Sequence, residues 1–390
     1  MATTVSAQEA KELAFSTIDA QSETLIGVSQ SIFANPELGF EEHFAHDLLA
    51  STLDRNGFDV TRSAFGLQTA FCATVGTDGP EIGVICEYDA LPGLGHACGH
   101  NVIAAAGLGA AIGLAPLATK LGGRLRVLGT PAEEGGGGKE FMIRAGAFDG
   151  LTAAMMVHPA DHNLPTMKTL AFQGLVANYT GRAAHAAASP HLGANALDAA
   201  VLGYNAVAAL RQHIRPAERI HGIFTKAGDK PNIVPAEAEA VWYIRAATTA
   251  HLEELKPRVL SCLEAGATAA GCELEITWLD PPYGEMVDNS SLLALYASNA
   301  DLVARTFDSE APEVVGSTDM GNVSQVVPSI HPMIAVAPPG VSIHTEEFAV
   351  HAGGESGDRA VIDGAKAMAA TVIDCWADPG AITDVGSSRP

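Results

Sequence analysis

The chain has 390 residues, more than one ordinary hydrophobic core accommodates, and its length predicts two domains. Hydrophobic residues make up 47% of it and charged residues 17%, a composition that excludes wholesale disorder. The net charge of −23 opposes broad contact with nucleic-acid phosphates, and no basic run offsets it, so we expect no nucleic-acid partner.

No segment is predicted to enter or cross a membrane. The N-terminal residues MATTVSAQEAKELAF lack the basic segment followed by an apolar stretch that is typical of a secretory signal. The longest apolar run, 102–118, is shorter than the ~20 residues of a membrane span and contains glycines and a proline, so it predicts a buried helix. Six cysteines without the density of a disulfide scaffold favour a cytoplasmic protein with reduced thiols.

The first part of the chain alternates helical and strand patterns. A helical apolar rhythm runs over 23–57 and is interrupted at 35–37 by Asn-Pro-Glu. Short strands are predicted at 58–62, 69–75, 81–86, 124–130 and 153–157, with helices before and after the fourth. This alternation predicts an α/β domain with a central, mostly parallel sheet flanked by helices.

The pattern changes near Leu170 to a β-α-β-β-α-β order, which is typical of a ferredoxin-like α+β domain. The predicted elements are a strand at 169–181, a helix at 195–214, strands at 219–227 and 236–246, a helix at 251–270 and a strand at 272–279. The α/β pattern then returns. We therefore predict a first domain formed by 1–169 and 286–377, an inserted domain at 170–285, and a flexible tail at 378–390.

The stretch EYDALPGLGHACGHN, 87–101, places His96, Cys98 and His100 at alternate positions. In an extended segment all three would face one side, and thiolate and imidazole are both good zinc ligands. By itself the cluster is equally compatible with a metal site and with a structural role.

Glu133 and Glu134 follow a predicted apolar strand and precede four glycines. Adjacent carboxylates often lie apart on a solvated surface, but this pair is expected where a parallel sheet opens into a cleft. In metal-assisted hydrolysis one such carboxylate anchors a cation. The other carries a proton from the attacking water to the leaving amine.

Two further histidines lie at the ends of predicted strands: His158 ends the strand AAMMV, and His344 follows an apolar strand and a Pro-Pro-Gly turn. Either one alone would be taken as structural. Together with Cys98, His100 and Glu134 they supply five sulfur, nitrogen and oxygen donors, more than one zinc ion uses. Two ions that share a bridging ligand would use all five.

Eight segments, in order along nearly the whole chain, resemble the dinuclear metal-dependent aminoacylase, glutamate carboxypeptidase and hippurate hydrolase family. They are NPELGFEE (35–42), EYDALPGLGHACGHN (87–101), GTPAEEGGGG (129–138), VHP (157–159), GRAAHAAASPHLGANALDAA (181–200), NIVPAEAEAVWYIRA (232–246), GSTDMGNVS (316–324) and IHTEEF (343–348). GHN in place of the commoner GHD, and GSTDMGNVS, are most similar to the aminobenzoyl-glutamate hydrolase and small-dipeptide hydrolase branch.

The resemblance implies a dinuclear metal centre. In the family pattern Cys98 bridges two divalent ions, His100 and His158 complete one coordination sphere, and Glu134 and His344 complete the other. Zinc is the expected metal for this donor set, although manganese, cobalt or nickel also suit it.

The resemblance also implies roles for residues around the metals. Glu133 is the general base, and Asp89 orients a metal ligand. His185 is expected to reach the active site from a partner subunit and to stabilise the oxyanion, while Asn232 and Arg245 hold the substrate carboxylate. The inserted domain is therefore expected to act as a lid and to form a homodimer. His96 has no ligand role in the pattern and is expected to be structural.

The expected activity is hydrolysis of the amide bond of small N-acyl or N-aminoacyl amino acids, such as aminobenzoyl-glutamate-like amides. A dipeptidase is the alternative within the enzyme class. A catalytically silent metal-dependent binding protein is an alternative of another class, which retention of Glu133 and all five ligands disfavours. A thiol-based redox protein centred on Cys98 is a third.

Overall fold

The computed structural model of the protein describes residues 5–77, 79–311, 315–378 and 380–381. The chain divides into two compact units, one formed by Met1–Lys168 with Met286–Pro390 and the other by Thr169–Glu285. Except for 378, 380 and 381, the predicted tail at 378–390 lies outside the described residues.

Helices and strands alternate through the described part of the chain. The strands are β1 (Asp59–Arg62), β2 (Phe71–Gly76), β3 (Glu81–Glu87), β4 (Arg124–Thr130), β5 (Ala153–Met155), β6 (His158–Ala160), β7 (Lys168–Thr169), β8 (Ala171–Thr180), β9 (Arg219–Lys226), β10 (Glu237–Ala246), β11 (Glu273–Trp278), β12 (Val315–Gly316), β13 (Ser329–Ile330) and β14 (Met333–Ala335). The helices are α1 (Ala7–Ala20), α2 (Ser22–Ala34), α3 (His43–Arg55), α4 (His100–Leu114), α5 (Gly138–Arg144), α6 (Ala196–Leu210), α7 (Thr249–Ala270), α8 (Ser290–Asp301), α9 (Met320–Val326), α10 (Glu346–Ala352) and α11 (Glu355–Ala377).

The first unit is built on a six-stranded sheet in the order β1-β2-β4-β3-β5-β13. β4, β3, β5 and β13 are parallel neighbours, whereas β1 and β2 add to the edge in antiparallel fashion. A second, parallel pair joins β6 to β14. The predicted α/β fold with a mostly parallel sheet is confirmed, and the carboxyl ends of β3 and β4 lie at one edge, where such folds place their sites.

The apolar run predicted as a buried helix forms α4, and all of its residues are buried. Its alanines and glycines allow close packing against β3 and α11. Within the described residues, no helix is long and apolar enough to cross a membrane.

The second unit is the predicted ferredoxin-like domain. Its antiparallel sheet has the order β11-β8-β10-β9, and α6 and α7 pack on it and on each other. Leu175 and Trp242 from the sheet join Val259 and Leu263 from α7 in one buried core. The helices approach closely because Gly266 has no side chain, since a Cβ there would collide with backbone atoms of α6.

Candidate metal centre

The segment between β3 and α4 is a tight turn, not the extended strand in which His96, Cys98 and His100 would alternate. Its glycines have positive φ values, +81° at Gly99, and so interrupt any two-residue alternation. A Cβ at Gly99 would lie 2.8 Å from Pro159, so glycine lets the turn pack against β6. Cys98 and His100 thereby join the donor groups described below, whereas His96 belongs to none of them.

His158 begins β6 rather than ending the strand predicted at 153–157, because β5 stops at Met155. Its Nδ1 lies 2.8 Å from the Pro159 carbonyl oxygen and must donate to it. The ring proton is therefore on Nδ1, and the Nε2 lone pair faces Cys98 Sγ at 3.5 Å. Burial lowers the pKa of His158 to about 4, so the imidazole is neutral, as a metal ligand must be.

His100 is the first residue of α4 and is fully buried. Its Nδ1 lies 3.1 Å from Asp89 Oδ1, and its Nε2 lies 3.1 Å from Glu87 Oε1 and 3.9 Å from Glu134 Oε1. Burial alone would lower the pKa of His100, but neighbouring Glu87, Cys98 and Asp89 raise it well above its usual range. The negative charges around His100 that stabilise a bound proton would also stabilise a divalent cation.

The five predicted ligands form two overlapping groups. Cys98, His100 and His158 form one, and Cys98, Glu134 and His344 form the other, with the donor atoms of each group all within 4.8 Å of one another. Glu134 Oε1 lies 3.1 Å from His344 Nε2. Cys98 is thus the only member common to both groups.

Glu133 lies beside these groups, and its donor oxygen falls within 4.8 Å of donors from Glu87 and His100. The side chain is buried, at 8% exposure. Burial raises the pKa of Glu133 well above its usual range, and the negative charges of Glu87, Asp319 and Glu134 raise it further. The carboxylate therefore holds a proton more readily than an exposed glutamate does.

A cavity of about 530 Å³ opens beside the cluster and has the size of a small-molecule site. Cys98, Glu133, Glu134, His158 and His344 are among its lining residues. The lining also includes Asp161, Met167, Met333 and the segment 315–318.

The donor set fits divalent metal ions. A thiol, three imidazoles and a carboxylate are the donors that zinc and related ions prefer. His100 Nε2 and Glu134 Oε1 are buried polar atoms without a well-formed hydrogen bond among the described residues, and a bound cation would satisfy both.

The family model of Peptidase family M20/M25/M40 matches residues 83–374. The chain belongs to this family. The predicted family and the predicted class of metallopeptidase or amidohydrolase are therefore confirmed.

Individual relatives and structures agree with the family assignment. Xaa-Arg dipeptidase of Mus musculus is 38% identical over 392 residues, which cover 96% of this chain and 91% of the relative. One of the p-aminobenzoyl-glutamate hydrolase subunits of Escherichia coli (strain K12) is 37% identical over 271 residues, 64% of this chain and 56% of the relative. A solved dinuclear metal-binding peptidase of family M20 from Bacillus subtilis superposes with a TM-score of 0.71 at 18% identity, covering 91% of this chain and 99% of that one.

In this M20 peptidase, a buried ion network that sequence reasoning missed supports the cluster from behind. Lys139 Nζ contacts Glu87 and lies 2.7 Å from Asp319 Oδ1, and the Lys139 backbone N–H donates to Asp319 Oδ2 at 2.9 Å. All three side chains are at most 1% exposed. Their only signal in the sequence is position: Glu87 opens the EYDALP motif, Lys139 ends the glycine-rich loop and Asp319 lies in GSTDMGNVS.

The NPELGFEE motif has a structural role, through Glu42. Glu42 Oε1 accepts a hydrogen bond from the Ala132 backbone N–H at 2.8 Å, and Oε2 accepts one from Thr69 Oγ1 at 2.7 Å. Ala132 has a positive φ of 58° and immediately precedes Glu133. Glu42 therefore fixes the loop that presents the carboxylate pair.

The other predicted site residues, His185, Asn232 and Arg245, lie in the second unit. His185 forms a β-bridge with Ile233, and the Asn232 carbonyl oxygen accepts the Ala186 N–H at 3.1 Å. Arg245 lies on β10, with its guanidinium 4.7 Å from the ring centre of Phe172. The first unit thus gathers the five predicted ligands, Glu133 and Asp89, and the second unit brings the backbone segments that carry His185 and Asn232 together.

Proposed function

We propose that this M20 peptidase hydrolyses the amide bond of small N-aminoacyl and N-acyl amino acids at a centre of two divalent metal ions. The observation that carries the proposal is the pair of donor groups that share Cys98 beside Glu133 in one cavity. Similarity to Xaa-Arg dipeptidase over 96% of this chain favours dipeptides as substrates. Similarity to part of a p-aminobenzoyl-glutamate hydrolase over 64% of this chain supports aminobenzoyl-glutamate-like amides as the second candidate.

We assign one metal position to Cys98, His100 and His158, and the other to Cys98, Glu134 and His344. The Cys98 thiolate would serve both positions, and zinc is the metal that the sulfur and nitrogen donors favour, with manganese, cobalt or nickel as alternatives. Divalent ions there would polarise the scissile carbonyl and acidify the attacking water.

Glu133 is the proposed proton carrier. It lines the cavity next to both donor groups, and its raised pKa suits a group that accepts a proton from water and returns it to the leaving amine. Asp89 orients His100 by accepting from its Nδ1, which leaves Nε2 free to bind metal.

His185 is proposed to stabilise the oxyanion, and its hydrogen bonds support this role. His185 Nδ1 accepts the backbone N–H groups of Ala187 at 3.3 Å and Ala188 at 3.1 Å. In the neutral ring the proton is therefore on Nε2, which can donate to a developing negative charge. Asn232 and Arg245 are proposed to bind the substrate carboxylate.

We further propose a homodimer in which His185 acts on the partner's active site. β9 is an edge strand of the inserted sheet, and Ile223 and Phe224 on it are 65% and 38% exposed. An exposed edge strand that carries such apolar side chains can pair with a second copy. A cytoplasmic location is proposed because all six cysteines are free thiols.

The test of this function is a hydrolysis screen with metal-loaded protein against dipeptides, N-acetyl amino acids and aminobenzoyl-glutamate. Release of the free amino acid from at least one class is expected, with dipeptides fastest. Binding of these compounds without release of product would instead support the catalytically silent binding protein.

A further inference from the structure

Asp161 shares the active-site cavity but belongs to neither donor group. It follows β6, three residues after His158, and lines the same cavity as Glu133 and Glu134. The Gly340 backbone N–H donates to its Oδ2 at 2.8 Å, and His162 Nδ1 lies 3.0 Å from its Oδ1. These contacts from two sides fix the carboxylate in the cavity wall, with 18% of the side chain exposed.

The carboxylate of Asp161 is ionised. Burial alone would raise its pKa, but the contacts with His162 and Gly340 outweigh burial and lower the pKa below its usual range. Among the described residues that line the cavity, there is no lysine or arginine. The negative charges of Cys98 and Glu134 would be compensated by the metals that they hold, whereas Asp161 contacts only the His162 ring and the Gly340 N–H among the groups described above.

A negative charge in a small cavity is stabilised by a cation that enters it and opposes the entry of another anion. We propose that Asp161 is a specificity-determining residue that binds a cationic group of the substrate, either a basic side chain or a free amino terminus. The inference rests on the proposed amide hydrolysis and narrows its substrate class to cationic dipeptide-like amides. Acidic amides such as those of glutamate are disfavoured.

Four substrates with the same scissile bond separate the two sources of positive charge. Alanyl-arginine carries both groups, N-acetyl-arginine carries only the guanidinium, alanyl-norleucine carries only the ammonium, and N-acetyl-norleucine carries neither. They are assayed with metal-loaded wild type, Asp161→Asn and Asp161→Ser, and the metal content of each protein is measured alongside. Asp308→Asn is the matched control, because its Oδ2 lies 3.7 Å from the other nitrogen of His162 and it is not a lining residue of the cavity.

The wild type is expected to prefer cationic substrates. On these substrates the kcat/KM of both Asp161 variants is expected to fall about ten- to a hundredfold, mostly because KM rises. This is the usual loss when a hydrogen bond to a charged group is removed. N-acetyl-norleucine turnover, metal content and the Asp308→Asn profile are expected to match wild type. If kcat/KM falls only on the two arginine substrates, Asp161 binds the basic side chain. If it falls only on the two alanyl substrates, Asp161 binds the free amino terminus.

An equal change on all four substrates, or no change on any, overturns the role of Asp161. Failure of the proposed function has a different signature, because metal-loaded wild type would then hydrolyse none of the four.

Discussion

Asp89 Oδ1 lies 3.1 Å from Nδ1 of His100, in a contact that is completely buried. The other oxygen of the same carboxylate accepts the backbone N–H of Glu134 at 2.8 Å. One side chain thus holds two of the proposed ligands, one from the start of α4 and the other from the loop after β4. The carboxylate therefore fixes the ring orientation of His100 and the position of the Glu134 backbone at once.

Replacing Asp89 by asparagine is expected to weaken metal binding about ten- to a hundredfold, the usual cost of losing a group that orients a ligand. The amide has only one oxygen and cannot accept from both neighbours as the two carboxylate oxygens do. Competition with a chromophoric chelator measures the affinity. Asp47→Asn is the control, because the exposed Asp47 also lies close to a histidine, 2.9 Å from buried His46, but away from the cluster. Equal metal affinities in the Asp89 and Asp47 variants would refute the proposal that Asp89 orients the metal ligands.

Glu133→Gln is expected to reduce turnover by about 10²–10⁴, because the amide cannot carry the proton from water to the leaving amine. Metal content is expected to stay at the wild-type level, since no proposed ligand changes. Steady-state kinetics and elemental analysis on the same sample check both expectations. Glu41→Gln, at an exposed position, serves as the control. Wild-type turnover in the Glu133 variant would contradict its assignment.

Lys139→Met is expected to destabilise the fold by ~3–5 kcal/mol, because Glu87 and Asp319 would remain buried without their shared counter-ion. Lys366→Met breaks a pair with Asp19, which is 58% exposed, and is expected to cost only ~0–1 kcal/mol. Urea unfolding followed by circular dichroism compares the two. Equal losses of unfolding free energy would show that the buried network contributes no more than a surface pair.

Stability is expected to fall on mild acidification, in part through His96. Burial lowers the pKa of this side chain to about 4 from its usual 6.5. Between these values the unfolded chain binds a proton that the folded chain does not, so stability is lost as the pH falls from 6.5 towards 4. One such group changes the free energy of unfolding by up to about 1.4 kcal/mol per pH unit.

His96→Leu is therefore expected to flatten the dependence of unfolding free energy on pH within this window. The measurement is urea unfolding at several pH values between 7 and 4. His221→Leu, which removes a histidine at an exposed position of β9, is the control variant. An identical slope in wild type and the His96 variant would show that this histidine does not titrate differently on folding.

The strands and helices with local signals are predictable from the sequence. Apolar runs bounded by glycine and aspartate predict β3 and β4, and the order of elements predicts the ferredoxin-like unit, because each depends on neighbouring residues. Residue type and position after predicted strands single out candidate donors, and the family pattern narrows them to the five that the structure gathers. No single donor stands out, but sulfur, nitrogen and oxygen donors at several strand ends together match the ligands that zinc prefers.

The missed features depend on contacts between distant segments. No local pattern indicates that Lys139 is buried, since lysine is normally exposed and its two partners lie 52 and 180 residues away. The alternating donor residues before α4 predict an extended segment, because such alternation is typical of a strand. The sequence does not reveal that the glycines among them have positive φ values, which turn the backbone. The pattern assigns His158 to the wrong strand because β6 exists only through its pairing with β14.

Amide hydrolysis by this chain is proposed to depend on two bound metal ions. Metal-free protein should be titrated with zinc while bound metal per chain and dipeptide hydrolysis are followed together. We predict no activity without metal, and activity that rises with loading and saturates at two ions per chain. Full activity in the metal-free protein, or saturation at one ion, would contradict the proposed dinuclear centre.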